Sequence, residues 1–236
     1  MKRALITGIA GQDGSYLAEY LLTKGYKVFG LVRSELTAAQ NLKNVMDKVQ
    51  LFYGDLTDQL SLLAAIKKSE PDELYNLAGQ PFVPNSWLSP QETINVNVGG
   101  LARLLDIVER TDRRIRVYQA SSSEMFGNHR GASNEETPLV PTSPYGVSKL
   151  AAHHLCRVYR DKGVFAVGGI LFNHESPRRG PEMVTRRSPS MWPPGCLAAL
   201  SLCVWAGSTL RATGALPETT WKRCTSCCNR TSLGNT

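Results

Sequence analysis

The first 187 residues contain almost no cysteine, and no long apolar run occurs anywhere in the chain. Five of the six cysteines follow residue 187, which leaves Cys156 alone before it. A single thiol excludes a disulfide framework in that part and favours a reduced, cytoplasmic environment. No stretch reaches the ~18–20 consecutive apolar residues that span a membrane. The apolar start at residues 4–6 runs directly into a glycine loop, unlike a secretory signal peptide.

A basic block is also missing, although the chain is basic overall. Its 236 residues carry 27 Lys+Arg and 20 Asp+Glu, a formal net charge of +7. Because these charges are spread along the chain, they attract anions only weakly and do not indicate nucleic-acid binding. We therefore expect neither nucleic acid nor a membrane as a partner. The length is enough to bury a sizeable core as one domain, or one and a fraction.

Three glycines follow the first apolar segment at the spacing G-x-x-G-x-x-G. Lys2–Thr7 predicts a short strand, and the apolar pattern over Tyr16–Leu22 predicts a helix after the loop. Strand, glycine loop and helix form the context in which such a loop binds a dinucleotide pyrophosphate; a glycine-rich turn without ligand is the alternative. The predicted cofactor-binding residues of this loop are Gly8, Ile9, Ala10, Gly11, Gln12, Asp13 and Gly14.

The ends of the next two strands indicate which dinucleotide is bound. Sites that prefer NAD place an acid at the end of the second strand, where it holds the ribose diol. Tyr26–Val32 predicts that strand, and Arg33 follows it. A cation suits a 2′-phosphate, so NADP is the predicted cofactor; a solvated arginine is the alternative. Val49–Gly54 predicts the third strand, after which Asp55 and Leu56 are expected beside the adenine.

Strands and helices alternate through the rest of the first 187 residues. Three further strands are predicted at Glu73–Ala78, Val117–Ala120 and Phe165–Phe172, and two helices around Ser61–Lys68 and over Asn95–Glu109. This alternation predicts an α/β fold, a Rossmann-type doubly wound parallel sheet. The end of the fourth strand is expected to pass the nicotinamide ribose through Leu77, Ala78 and Gly79.

Side chains suited to proton transfer occur in two segments near the fifth strand. Tyr145 and Lys149 are four residues apart, so on a helix they lie on one face. A nearby ammonium stabilises a phenolate, and we therefore expect the pKa of Tyr145 to lie well below its usual value of about 10. Ser122 and Glu124 follow the fifth strand, which directs a hydroxyl and a carboxylate toward the same cleft. Solvated helical residues and a surface carboxylate are the alternatives.

The chain resembles the GDP-mannose 4,6-dehydratases, a family of extended short-chain dehydrogenases/reductases. The resemblance covers residues 4–187, and ILFNHESPRRG is its most discriminating part because general epimerases of this superfamily lack it. Gly79 and Ser122 depart slightly from the family, which usually has alanine and often threonine there. The segments that carry the resemblance are TGIAGQDGSYLAEYLL, YNLAGQPFV with Ser86 and Trp87, YQASSSEMFG, PTSPYGVSKL and GILFNHESPRRGPEMVTRR.

The resemblance implies an internal redox dehydration of GDP-mannose to GDP-4-dehydro-6-deoxy-mannose, with NADP regenerated in each turnover. Tyr145, assisted by Lys149, is implied to take the C4 hydroxyl proton. Ser122 is implied to hydrogen-bond that oxygen, and Glu124 to remove the C5 proton as the C6 hydroxyl leaves.

Further contacts are implied by the family alone. His174 and Arg179 are expected near the cofactor, with a structural core histidine as the alternative for His174. Asn173 and Ser86 are expected near the substrate. Members of the family form homodimers or homotetramers, and the loop at residues 33–40 is a candidate interface.

The composition changes after residue 187. Residues 188–236 contain one acidic residue and five cysteines, and they show no steady helical or strand period. The cluster Cys224-x-x-Cys227-Cys228 lacks a second ligand pair, so we predict no metal site. Codons compatible with this tail can encode family-like residues when read two bases later. We therefore hypothesise that the reading frame slips near Arg187–Ser188.

This hypothesis divides the chain into two parts. Residues 1–187 are predicted to form an NADP-binding Rossmann domain with the catalytic residues, and residues 188–236 an atypical, poorly ordered tail. The smaller C-terminal substrate domain of the family would then be largely missing, and turnover would be very low. A non-catalytic NADP-binding remnant is one alternative function. Another nucleotide-sugar epimerase or reductase is a second, although Glu124 counts against simple epimerisation.

Overall fold

Six short segments rich in apolar side chains form a single parallel sheet. The computed structural model describes residues 1–34, 41–180 and 182–183; the predicted tail and most of the 33–40 loop lie outside these ranges. The sheet order is β3-β2-β1-β4-β5-β6, and every neighbouring pair is parallel. This order confirms the predicted Rossmann-type fold. The strands are β1 (Arg3–Thr7), β2 (Lys27–Val32), β3 (Val49–Tyr53), β4 (Glu73–Asn76), β5 (Arg116–Ser122) and β6 (Ala166–Leu171).

The connections between strands are mostly helical. The predicted helix at Asn95–Glu109 begins as a π turn over Asn95–Gly99, and a 3₁₀ turn over Ser123–Phe126 follows β5. The sequence analysis missed two short helices, at Val83–Leu88 and Pro90–Ile94. They have six and five residues, too few for a recognisable period. The helices are α1 (Gln12–Thr23), α2 (Gln59–Ser69), α3 (Val83–Leu88), α4 (Pro90–Ile94), α5 (Gly100–Thr111) and α6 (Pro144–Asp161).

Apolar side chains cover both faces of the sheet. Leu5 belongs to the cluster on one face, while its neighbours Ala4 and Ile6 belong to the cluster on the other. This alternation follows from the two-residue period of a strand. Leu104 of α5 packs into the first cluster and Leu17 of α1 into the second. The helices therefore flank a sheet that is buried on both sides, as in other parallel sheets.

The sheet reverses its direction of growth between β1 and β4. The chain adds β2 and β3 on one side of β1, and β4, β5 and β6 on the other. Loops that leave the carboxyl ends of β1 and β4 diverge at this point and form the crevice in which doubly wound folds bind ligands. Within the described ranges, no helix is both long and apolar enough to cross a membrane.

Candidate active site

The glycine loop between β1 and α1 forms a cradle of backbone atoms. Gly8 has a φ of +70°, a conformation that favours glycine. The Gly11 N–H donates to the Gly8 carbonyl over 2.9 Å, which folds the loop against the start of α1. A Cβ on Gly14 would overlap the backbone of Gly8 and Ile9, and one on Gly8 would lie 2.7 Å from the Ala78 nitrogen. The backbone thus approaches closely at the amino end of α1, where helices bind phosphate oxygens.

The segment at residues 172–180 folds onto this cradle. His174 Nε2 lies 2.7 Å from Asp13 Oδ1, and the Ser176 hydroxyl donates to Gln12 Oε1 over 2.9 Å. Arg179 donates to the His174 carbonyl over 2.6 Å. The structure therefore brings His174 and Arg179 beside the predicted phosphate loop, although about 160 residues separate them along the chain.

The Asp13 carboxylate governs the charge of His174. Burial opposes protonation, but the hydrogen bond and charge of Asp13, with a smaller contribution from the Phe172 carbonyl, raise the pKa of His174 above its ordinary value. His174 Nδ1 lies 2.7 Å from that carbonyl. The ring is thus held at both nitrogens, which supports a structural role as well as a role near the cofactor.

The predicted adenine side lies at the carboxyl ends of β2 and β3. Burial opposes ionisation of Asp55, but two hydrogen bonds from Thr57, at 2.8 and 2.7 Å, and the charges of Arg33 and Arg103 lower its pKa. Leu56 is buried beside these groups at 5% exposure. Arg33 is exposed directly after β2, at the position where doubly wound folds recognise the ribose. Two arginines therefore act on the carboxylate at this side of the predicted site.

Tyr145 and Lys149 occupy the first turns of α6. The Ser143 hydroxyl accepts from the Gly146 N–H over 3.0 Å and caps the helix, and Pro144 stands at its first position. Tyr145 is 8% exposed and Lys149 7%. Lys149 Nζ lies 5.7 Å from the centre of the Tyr145 ring and donates to the Ala120 carbonyl over 2.9 Å. The helix therefore presents both side chains to the carboxyl end of β5.

The expected low pKa of Tyr145 is wrong for the chain alone. Burial raises the pKa of Tyr145; the Ser122 hydroxyl and Arg179 lower it, while the charges of Glu124 and Asp13 raise it further. Burial also lowers the pKa of Lys149 to about 8, so its ammonium form still predominates at pH 7. The chain by itself therefore keeps Tyr145 protonated near neutral pH.

Ser122 and Glu124 meet Tyr145 at the end of β5. The Ser122 hydroxyl accepts from the Glu124 N–H over 3.2 Å and caps the 3₁₀ turn. The same hydroxyl interacts with the Tyr145 side chain, and the charge of Glu124 reaches that phenol. A hydroxyl, a carboxylate, a phenol and an ammonium thus converge beside the glycine cradle. Such a set contains groups that can both donate and accept protons.

A family model described as GDP-mannose 4,6 dehydratase matches residues 5–195 of this chain. The chain belongs to the GDP-mannose 4,6-dehydratase family. It is 46% identical over 199 residues to a GDP-mannose 4,6-dehydratase of Yersinia enterocolitica, covering 79% of this chain and 54% of that protein. It is 48% identical over 200 residues to GDP-mannose 4,6 dehydratase 2 of Arabidopsis thaliana, with the same two coverages. The chain therefore spans about half the length of the curated relatives it matches.

Solved structures of related enzymes share the fold. A dTDP-glucose 4,6-dehydratase from Streptomyces venezuelae, solved with NAD, is 25% identical with a TM-score of 0.71 and covers 88% of this chain and 63% of its own. A UDP-glucuronic acid 4-epimerase from Bacillus cereus, solved with UDP-glucuronic acid and NAD, is 29% identical with a TM-score of 0.69, covering 79% and 61%. Both are nucleotide-sugar enzymes solved with NAD.

Two residues predicted to bind substrate, Ser86 and Asn173, differ in their exposure to solvent. Ser86 is fully buried, and its hydroxyl donates to the Val83 carbonyl over 2.6 Å. Asn173 is exposed beside His174. In the conformation described, the Ser86 hydroxyl therefore donates within its own helix.

Asn97 is a site residue that the sequence analysis did not identify. It lies in the π turn, 3% exposed, and its Nδ2 donates to the Ser148 hydroxyl of α6 over 2.9 Å. Its Oδ1 accepts from the Gln80 N–H over 2.9 Å. A Cβ on Gly79 would lie 2.8 Å from this oxygen. Asn97 thus joins the loop after β4 to the helix of Tyr145, and no local pattern marks it.

Proposed function

We propose that this chain carries the cofactor half of a GDP-mannose 4,6-dehydratase, an enzyme that converts GDP-mannose to GDP-4-dehydro-6-deoxy-mannose and water. The family membership and the glycine cradle support a nicotinamide dinucleotide as cofactor. The observation that carries the proposal is the cluster of four side chains beside the glycine cradle, Ser122, Glu124, Tyr145 and Lys149. This cluster supplies the groups for both proton transfers that the reaction needs.

In the proposed reaction, each side chain acts on a different part of the sugar. Tyr145 takes the proton of the C4 hydroxyl while Ser122 hydrogen-bonds the same oxygen. NADP, when bound in its oxidised form, supplies a reversible hydride acceptor and a positive charge that favours an ionised tyrosine. The resulting 4-ketone acidifies the C5 proton, which Glu124 would remove as general base and pass to the C6 hydroxyl as it leaves as water. Return of the hydride to C6, with a proton equivalent to the one taken by Tyr145 returning to C5, would leave the sugar without net oxidation.

NADP rather than NAD is proposed because of the charges on the adenine side. Arg33 supplies a cation where NAD-preferring folds place an acid. Replacing Arg33 by Ala should weaken NADPH binding by about tenfold, since a charge-assisted contact contributes about 1.5 kcal/mol or more, and should leave NADH binding nearly unchanged. Arg130→Ala, in an exposed loop, is the control. Equal losses of NADPH and NADH affinity would contradict the assignment.

The tail is proposed to be the product of a slipped reading frame after about residue 187. The Yersinia relative matches only 79% of the chain, which supports a change of sequence near that position, although the family model continues to residue 195. Sequencing the locus tests the hypothesis. An uninterrupted frame that encodes this tail as the normal product refutes it.

A thermal-shift titration of the purified 236-residue chain tests the function. NADPH is added first and GDP-mannose second, with the Tyr145→Phe chain as a control for the catalytic cluster. Stabilisation by both ligands supports the dehydratase. Stabilisation by NADPH alone supports the second candidate, a cofactor-binding protein without dehydratase activity. Stabilisation by neither contradicts both.

A further inference from the structure

A line of buried polar side chains crosses the three central strands beneath the active site. The Thr7 hydroxyl of β1 donates to Asn76 Oδ1 of β4 over 2.6 Å. Asn76 Nδ2 donates to Gln119 Oε1 of β5 over 2.6 Å, and Gln119 Nε2 donates to the Ala120 carbonyl over 2.9 Å. This is the same carbonyl to which Lys149 donates over 2.9 Å. The relay therefore begins next to the glycine loop and ends at the acceptor of Lys149.

The relay formed by Thr7, Asn76 and Gln119 is buried, and its hydrogen bonds all run in one direction. Thr7 is 0% exposed, and Asn76 and Gln119 are each 1% exposed. Every donor points from β1 toward β5, and Thr7 Oγ1 in turn accepts from the Ala78 N–H over 3.3 Å. Buried amides in an apolar sheet are costly unless they are paired, and chains of hydrogen bonds strengthen one another. Mutual pairing therefore offsets the cost of burying these three side chains.

We propose that Gln119 is a positioning residue that holds the Ala120 carbonyl in place as the acceptor for Lys149, and that Thr7 and Asn76 hold Gln119. The inference rests on the proposed function, because Lys149 acts there with Tyr145. β4 and β5 belong to the half of a doubly wound sheet that faces the nicotinamide, whereas β2 and β3 face the adenine. The relay therefore serves the nicotinamide half of the cofactor site.

Replacing Gln119 by Met tests the role with two ligands. Met has a similar volume but neither donates to Ala120 nor accepts from Asn76. We expect the dissociation constant of NADPH to rise about fivefold, as for one lost hydrogen bond. The affinity for 2′,5′-ADP, which lacks the nicotinamide half, should change less than about twofold. Equal losses for both ligands, or no loss for either, would overturn the proposal.

The pH profile of Lys149 modification gives a second measurement that does not require cofactor binding. An amine-reactive reagent and peptide mass spectrometry report the pH at which Lys149 becomes reactive. Because Q119M removes the side chain that holds the Ala120 carbonyl against the ammonium, the midpoint should fall by about one pH unit. Ser69→Ala is the control, since Ser69 is also fully buried and donates to the Ala65 carbonyl over 2.6 Å. A midpoint that is the same in Q119M as in S69A refutes positioning.

Alkylation of the Cys156 thiol, which is 0% exposed, distinguishes unfolding of Q119M from a local change at Lys149. This alkylation should remain slow in Q119M if the sheet stays closed. If alkylation becomes fast in Q119M, the pH midpoint of Lys149 modification is measured instead in Thr7→Val, which keeps the shape of the first relay residue. A midpoint in T7V that equals the wild-type value then refutes the relay. If wild-type protein binds no NADPH, the proposed function fails, while the Lys149 midpoint still decides the positioning role.

Discussion

Lys149 combines deep burial with a hydrogen bond to the Ala120 carbonyl. Burial disfavours its charged form and lowers its pKa to about 8 from an ordinary value of 10.5, although Asp13 partly offsets this. Burial also raises the pKa of Tyr145, its neighbour on α6. The pair is therefore poised for proton transfer only when another charge enters the site. Both shifts lead to measurable dependence on pH.

Lys149→Met should alter how stability depends on pH. A group whose pKa is lower in the folded state binds more protons when unfolded, so it makes the wild type more stable as pH rises from about 8 to about 10.5. The free energy of unfolding of the wild type relative to K149M should therefore rise by about 2 kcal/mol between pH 7 and pH 10. Urea unfolding at several pH values measures this. Lys24→Met, at an exposed lysine, should show no such trend, and a flat K149M difference would contradict the prediction.

His174→Asn should show the opposite dependence. The pKa of His174 is raised in the folded state, above its ordinary value of 6.5, so its pairing with Asp13 contributes fully below that value. The contribution is lost as pH rises through the folded pKa. The loss of unfolding free energy in H174N should thus be larger at about pH 6 than at about pH 9. A matched His129→Asn chain, changed in an exposed loop, should differ little from wild type at both, and an equal H174N loss at both pH values would argue against the pairing.

The start of α1 is the element on which the cofactor site depends most. The helix begins at Gln12, directly beneath the cradle, and its first turns also meet the 172–180 segment through Gln12 and Asp13. Because the backbone of Gly8 is so close to Gly14, the helix axis is set by the absence of a side chain. An added methyl group must move the whole amino end of the helix.

Gly14→Ala and Gly11→Ala form a matched pair for this element. A Cβ at Gly14 would overlap backbone atoms of Gly8, whereas one at Gly11 would lie 3.2 Å from the Gly8 carbonyl oxygen. We expect G14A to lose about 2 kcal/mol of unfolding free energy and G11A less than about 1 kcal/mol, because overpacking against backbone is relieved only by shifting the helix. Chemical denaturation checks the order. Equal losses would show that the helix does not pack as described.

At the scale of the chain, the described residues form a six-stranded sheet, and the chain spans about half the length of the curated relatives it matches. The four proposed catalytic side chains come from β5, the 3₁₀ turn and α6, all within the described part of the chain. Two large apolar side chains of α3 are exposed, Trp87 at 64% and Leu88 at 82%. Exposed apolar residues that lie together can mark a surface that another segment covers.

Turnover of GDP-mannose by the purified chain should be at least about 100-fold below that of a full-length relative, because small errors in substrate position cost that much. NADPH binding should persist. Product formation, followed by mass spectrometry with the Yersinia relative as control, measures both chains under one condition. Turnover equal to that of the relative would show that these 236 residues position GDP-mannose by themselves.

The pattern of residues was sufficient to predict every strand, the doubly wound parallel sheet and the glycine loop, because these depend on local spacing and on the alternation of strands and helices. The strand order came from the structure. The structure also brought His174 and Arg179 to the loop, where only the family resemblance had predicted them. Tertiary structure alone decided the upward shift of the Tyr145 pKa and the relay from Thr7 to Gln119. Burial and cross-strand register set these, and both depend on residues far apart along the chain.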